Sequence, residues 1–240
     1  VNRSLGGAAL LRSPQLMRSI CRAVRDTVPH SVPVTAKIRL GYEDDGQFDS
    51  ILDALAPVGL SELTIHARTR RQGYRPPAHW GKLKNARQRL SLPVIANGEL
   101  WGVSDIARCH RVSGCGAFML ARGALCRPDL GAAIQAHYRS IDPIPFTWDH
   151  VRELLIHFLE RNQLQYDARY AVNPVKQWLV YLKAQLRDSP AVKTCWLLWA
   201  QTPSPERLNR GLLWRVGPTY LEGVTQSERH LMTTTRGYAQ

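Results

Sequence analysis

The chain has 240 residues, enough for one large domain or two smaller ones, and its apolar fraction of 44% allows a sizeable core. A formal net charge of +13, from 32 Lys+Arg against 19 Asp+Glu, points to an anionic partner, nucleic acid ahead of a membrane surface. No run of about 18 apolar residues exists to span a membrane, and five scattered cysteines without a C-x-x-C pair argue against a zinc site or a disulfide framework and for a reducing cytoplasm.

The start, Val1 to Leu11, carries no initiator Met and reads as the middle of a domain, with Gly6-Gly7 suited to a close backbone approach. Ser13-Pro14 opens a helix predicted to run to Thr27, with Leu16, Ile20, Ala23 and Val24 on one face. Strand-like runs follow at Val34 to Arg39, Glu62 to His66, Leu92 to Asn97 and Ala117 to Arg122. Helices are predicted between and after them: Phe48 to Val58, the basic Trp80 to Leu90, Val103 to Val112, and Pro128 to Arg139. A helix after every strand is the pattern of a parallel α/β layout.

Asp142-Pro143-Ile144-Pro145 reads as a linker. Beyond it, helices are predicted at Trp148 to Gln163 and Val175 to Leu186 with a turn at Asn173-Pro174, a small helical module with basic faces. From about Ala191 no period is sustained, and the tail reads as disordered or frameshifted. The expected domains are therefore 1–140, 141–190 and an atypical 191–240.

Each strand ends in a polar group, where α/β folds place their ligands. Lys37 and Arg39 share one strand face, two residues apart. His66 ends the second strand, Asn97-Gly98-Glu99 the third, and Ala121-Arg122-Gly123 the fourth. In (β/α)8 barrels the loops after the last two strands commonly cradle a phosphate. The loop Ala67 to Pro77 holds Arg68, Arg70, Arg71, Arg75 and Tyr74 with no acid, the make-up of a phosphate-tracking surface with an aromatic to stack on RNA.

Lys37-Ile38-Arg39-Leu40-Gly41, Ile65-His66-Ala67-Arg68-Thr69 with Gln72-Gly73-Tyr74, Pro93 to Glu99, and Arg122-Gly123-Ala124-Leu125 together resemble the tRNA-dihydrouridine synthases from about Val1 to Arg187. Trp101, Val175-Lys176-Gln177-Trp178-Leu179 and Tyr181-Leu182 resemble the subfamily that modifies uridine-16 in the D-loop. The resemblance implies the C-terminal half of an FMN-binding (β/α)8 TIM barrel followed by a small all-helical tRNA-binding domain. It implies reduction of uridine to 5,6-dihydrouridine with NADPH as reductant, tRNA as partner, and a monomer. Lys37, His66, Asn97, Gly98, Glu99, Ala121 and Arg122 would contact the flavin, and Arg68, Tyr74, Lys176 and Tyr181 the tRNA. The family's catalytic cysteine, in an Asn-Cys-x-Cys-Pro stretch, has no counterpart here, so the chain alone is expected to be inactive. Ala121 stands where the family has Gly, and Pro174 where the subfamily has a basic residue. The alternatives are a non-catalytic tRNA-binding remnant and another flavin- or phosphate-binding barrel acting on a small molecule.

Overall fold

The structure is a computed structural model and describes residues 6–185, so the tail from about Ala191 lies outside the described residues. The chain divides into two compact units, residues 1–144 and 145–240. The first unit holds helix α1 (Pro14–Thr27), strand β1 (Thr35–Arg39), α2 (Phe48–Leu55), β2 (Glu62–His66), α3 (Lys82–Arg89), β3 (Val94–Asn97), α4 (Val103–Ser113), β4 (Ala117–Met119), α5 (Arg122–Cys126) and α6 (Leu130–Arg139).

The four strands form one parallel sheet in the order β1-β2-β3-β4. Because the strand order never reverses, crossovers of the usual single hand carry the connecting helices to one face of the sheet. The alternating strand residues divide accordingly. Ile38, Leu63, Ile65, Val94 and Ala96 are buried and join Ile51, Leu52 and Leu55 of α2, Leu83 of α3 and Ile106 of α4 in one core. The opposite face carries Lys37, Arg39, Thr64, His66 and Asn97, held in step by the register Lys37↔Thr64, Arg39↔His66 and His66↔Asn97.

Several boundaries depart from the sequence reading for local reasons. α2 stops at Leu55 and continues as a 3₁₀ turn, Ala56–Val58, because Pro57 brings no N–H to the ladder. β4 stops at Met119, and Arg122 opens α5 instead of ending a strand. Among the described residues no atom lies within 4 Å of a Cβ built on Gly7, so Gly7, at φ +60°, marks a turn into a 3₁₀ helix and makes no close approach to them. Leu16, Ile20 and Val24 of α1 are exposed, while Met17 and Arg25 are buried; the Arg25 guanidinium caps the carbonyls of Val28, Pro29 and Val32.

In the second unit, α7 (Trp148–Gln165), α8 (Ala168–Ala171) and α9 (Asn173–Gln185) follow one another. Thr147 starts α7 with a reciprocal cap, its backbone N–H donating to His150 Nδ1 at 3.1 Å. Val151, Leu155 and Leu159 bury against Val172, Val175, Leu179 and Leu182. Asn173-Pro174 is not a free-standing turn; it forms the first two residues of α9, where a proline loses no hydrogen bond.

The β3 and β4 ends are packed backbone to backbone: a Cβ on Gly123 would fall 2.1 Å from the Leu100 carbonyl oxygen. Gly123→Ala is expected to lower the stability of the first unit by about 1–3 kcal/mol, read from urea unfolding. An unchanged midpoint would contradict this packing.

Candidate functional site

A cleft of about 180 Å³ opens at the C-terminal ends of the four strands, lined by Lys37, Arg39, His66, Tyr74, Asn97, Gly98, Glu99, Leu100, Trp101, Met119, Ala121, Arg122 and Gly123. All seven residues expected to contact a flavin line this cleft. Tyr74, expected to face RNA, lines it as well. The sequence reading does not single out Arg39, Trp101 or Met119 as flavin contacts. For Arg39 a signal exists, since it lies on the same strand face as Lys37.

The β2–α3 loop is built into the site. Arg39 Nη1 donates to the carbonyls of Thr69 and Gly73, both at 3.0 Å. Arg70 and Arg71 donate their backbone N–H groups to the Gly41 and Tyr42 carbonyls at 2.9 Å. Trp80 Nε1 donates to the Gly98 carbonyl at 2.9 Å. Arg68 is the main departure from expectation: at 1% exposure it faces no solvent and therefore no RNA. Its Nη2 donates to the Glu99 carboxylate, its Nη1 lies 3.4 Å from His66 Nε2, and its buried Nε has no partner among the described residues. The same Glu99 oxygen accepts the Ala78 backbone N–H at 2.7 Å.

This clamp holds an uncommon backbone. Gly98 sits at φ +108° and Glu99 at φ +60°, a region that costs a side-chain-bearing residue and persists only where the surroundings enforce it. Gly98 must lack a side chain, since a Cβ there would fall 2.7 Å from His66 Cδ2. Asn97 is committed too, its Nδ2 donating to the Met119 carbonyl at 2.7 Å and joining β3 to β4. Glu99 and Asn97 therefore shape the cleft while Lys37, Arg39 and Arg122 supply its charge. The Arg122 guanidinium lies between two aromatic faces, 4.6 Å from the Tyr74 ring centroid and 5.0 Å from that of Trp101.

Among the described residues the one carboxylate lining the cleft is paired with Arg68, so the cations there act on one another. Burial, followed by the fields of Arg39, Lys37, Arg68 and Arg122, lowers the His66 pKa from 6.5 to about 3. Partial burial and Arg39 lower that of Lys37. Cys109 and Cys115 lie in the hydrophobic core, their thiols pushed up by burial, to about 11 for Cys109. No cysteine lines the cleft among the described residues. Nor do these residues hold a group of His, Cys, Asp and Glu placed for a metal ion, or a helix long and apolar enough to cross a membrane. Lys176 and Tyr181 are half-buried on α9 in the second unit.

An imidazole whose folded pKa lies below its unfolded one binds fewer protons when folded, so its contribution to stability is complete above about pH 6.5 and disappears as pH falls toward about 3. His66→Gln is expected to flatten the loss of stability across that window, measured by denaturant midpoints at stepped pH. An unaltered profile would show that His66 titrates normally.

The family model described as dihydrouridine synthase (Dus) matches residues 1–189. The tRNA-dihydrouridine(16) synthase of Pseudomonas putida is 43% identical over 182 residues, 76% of this chain and 56% of that protein. Those of Shewanella oneidensis and Ralstonia nicotianae are each 42% identical, over 189 and 195 residues, covering 79% of this chain and 58% and 60% of theirs. The chain thus spans a little over half the length of these relatives. With the matched segment covering most of the chain and all four strand ends, the chain belongs to the dihydrouridine synthase family.

Proposed function

We propose that this chain provides one wall of a flavin site and a tRNA-binding surface for the reduction of uridine to dihydrouridine in tRNA. Its four-stranded sheet is the C-terminal half of a (β/α)8 barrel, its cofactor is FMN, and its reductant is NADPH. The helices beyond residue 144 form a tRNA-binding module, and the target is uridine-16, the position that the relatives' names carry and that the family resemblance puts in the D-loop. The observation that carries this reading is the convergence of Lys37, Arg39 and Arg122 in a cleft whose one carboxylate among the described residues is already paired. Such a cleft suits a phosphate-bearing ligand, and the faces of Tyr74 and Trp101 suit a planar ring. Its volume is below the roughly 300 Å³ of small ligand sites, in keeping with one wall and not a whole enclosure.

When bound, the flavin supplies hydride chemistry that no side chain here can provide. The chain's own residues hold and orient. Lys37 and His66 face the ring system, Arg122 the ribityl phosphate region, and Arg39 braces both β1 and the Tyr74 loop. The proton donor that the family resemblance assigns to a cysteine is not among the described residues lining the cleft, so these residues by themselves bind without completing the reaction.

Titration with FMN, followed by flavin absorbance and fluorescence, tests the reading. Binding is expected, and Lys37→Ala and Arg122→Ala should each weaken it by roughly tenfold, the loss of one charge-assisted hydrogen bond. Equal affinity in all three proteins would remove the proposed site.

A remnant that binds tRNA without flavin is the second reading, favoured by the exposure of Arg70, Arg71 and Tyr74 beside the cleft. In either case tRNA affinity should fall steeply with salt. Replacing Arg70 and Arg71 by Gln should reduce the log–log slope by about 0.7–0.9 for each phosphate that is no longer neutralised. A slope that does not change would take this loop out of the RNA interface.

A further inference from the structure

We propose that Arg68 is a positioning residue: its buried guanidinium bridges Glu99 and His66 and fixes His66 as the neutral tautomer whose Nδ1–H is presented to the cleft. The proposal deepens the flavin reading and rests on it only for what that N–H would meet.

The chemistry of arginine supplies the first step. A guanidinium has five N–H donors and no acceptor, and it stays charged in a protein. Its contact with His66 Nε2 at 3.4 Å is therefore compatible only with an unprotonated Nε2. A neutral ring with a bare Nε2 carries its proton on Nδ1. The ring has little room to turn, since its Cδ2 and Nε2 edge packs against Gly98, where even a methyl group would collide. The opposite edge, with Nδ1, is left to the cleft that His66 lines.

The guanidinium is itself immobilised. Glu99 takes Nη2 in an ion pair, and the Arg68 carbonyl accepts the Leu40 backbone N–H at 3.2 Å. The charges around His66 favour the same state. Lys37 and Arg39 of β1, Arg68 just past β2, and Arg122 of α5 all oppose an imidazolium, and the Glu99 carboxylate that would favour one is neutralised by Arg68. The Tyr74 ring also faces His66, 6.1 Å away and tilted. His66 is thus a fixed hydrogen-bond donor and not an acid, complementary to an electron-rich carbonyl or ring nitrogen in the cleft.

The test is the imidazole ¹H–¹⁵N correlation spectrum of the labelled chain between pH 4 and 8, with His66 assigned by its loss in His66→Gln. The expected spectrum shows one tautomer, Nδ1–H with Nε2 bare, across the whole range. A predominant Nε2–H tautomer, or protonation near pH 6.5, would overturn the proposal without any further variant. In Arg68→Met both tautomers should appear and FMN affinity should fall roughly tenfold, the loss of one hydrogen bond. If that cavity prevents folding, Glu99→Gln keeps the volume, removes the charged anchor and should also give both tautomers. A folded variant that retains the pure Nδ1–H tautomer would reduce Arg68 to a structural role. Failure of this proposal and failure of the flavin reading are distinguishable. The expected tautomer in a chain that binds no FMN would sink the flavin reading and leave Arg68 in place. FMN bound equally by the parent and Arg68→Met, with an unchanged tautomer, would do the reverse.

Discussion

The buried pair between Arg68 and Glu99 is the constraint on which the rest of the site depends. A guanidinium at 1% exposure must be compensated, because removing either partner of such a pair leaves a desolvated charge. Compensation here requires Glu99 to reach back toward β2, and that requires the left-handed backbone at Gly98 and Glu99. The same carboxylate fastens the far side of the β2–α3 loop through Ala78. One ion pair therefore sets the shape of two loops, the place of His66 and the floor of the cleft.

Electrostatic character follows from that pairing. Were Glu99 unpaired, it would face Lys37, Arg39 and Arg122 and cancel much of their field. Because Arg68 takes it, three cations converge with no opposing acid, and His66 stays neutral among them. Such a cleft is costly by itself and becomes favourable when an anion enters. The Arg122 guanidinium, held between Tyr74 and Trp101, is kept beside the cleft in an arrangement that suits a planar, charged ligand.

The four strands and the polar residues ending the first three were legible in the sequence because they rest on local signals: apolar runs, Pro and Gly breaks, and the helix after each strand; Arg122, expected to end the fourth, opens a helix instead. The meeting of Lys37, His66, Asn97, Glu99 and Arg122 followed from the fold class, since parallel strands align their C-terminal ends. What each side chain does there was less legible. Arg68 sits in a run of four arginines, and nothing in composition distinguishes the one that turns inward; only the Glu99 carboxylate, 31 residues away, decides it. Asn97 lines the cleft as expected, but the donation of its Nδ2 to β4 has no local signal. On α1, Leu16, Ile20 and Val24 form a clear stripe, yet the helix turns Met17 and Arg25 inward because the Val28, Pro29 and Val32 carbonyls need a donor.

The order β1-β2-β3-β4 explains why such a site can be built from four strands at all. In a doubly wound sheet the ligand crevice lies where the strand order reverses, so residues distant in sequence must meet across it. Here every hydrogen-bonded link in the site joins nearest neighbours: β1 to the loop after β2 through Arg39, that loop to the end of β3 through Arg68 and Trp80, and β3 to β4 through Asn97; the Arg122–Tyr74 packing alone reaches past β3. Each link needs only the strand beside it. Among the described residues, β1 and β4 each have one edge without a strand partner. Lys37 and Arg122 stand next to those edges, while Arg68, His66 and Glu99 lie between the inner strands. The positioning network is therefore the part of the site least dependent on what lies beyond either edge, and the two outer cations are the part most exposed to it.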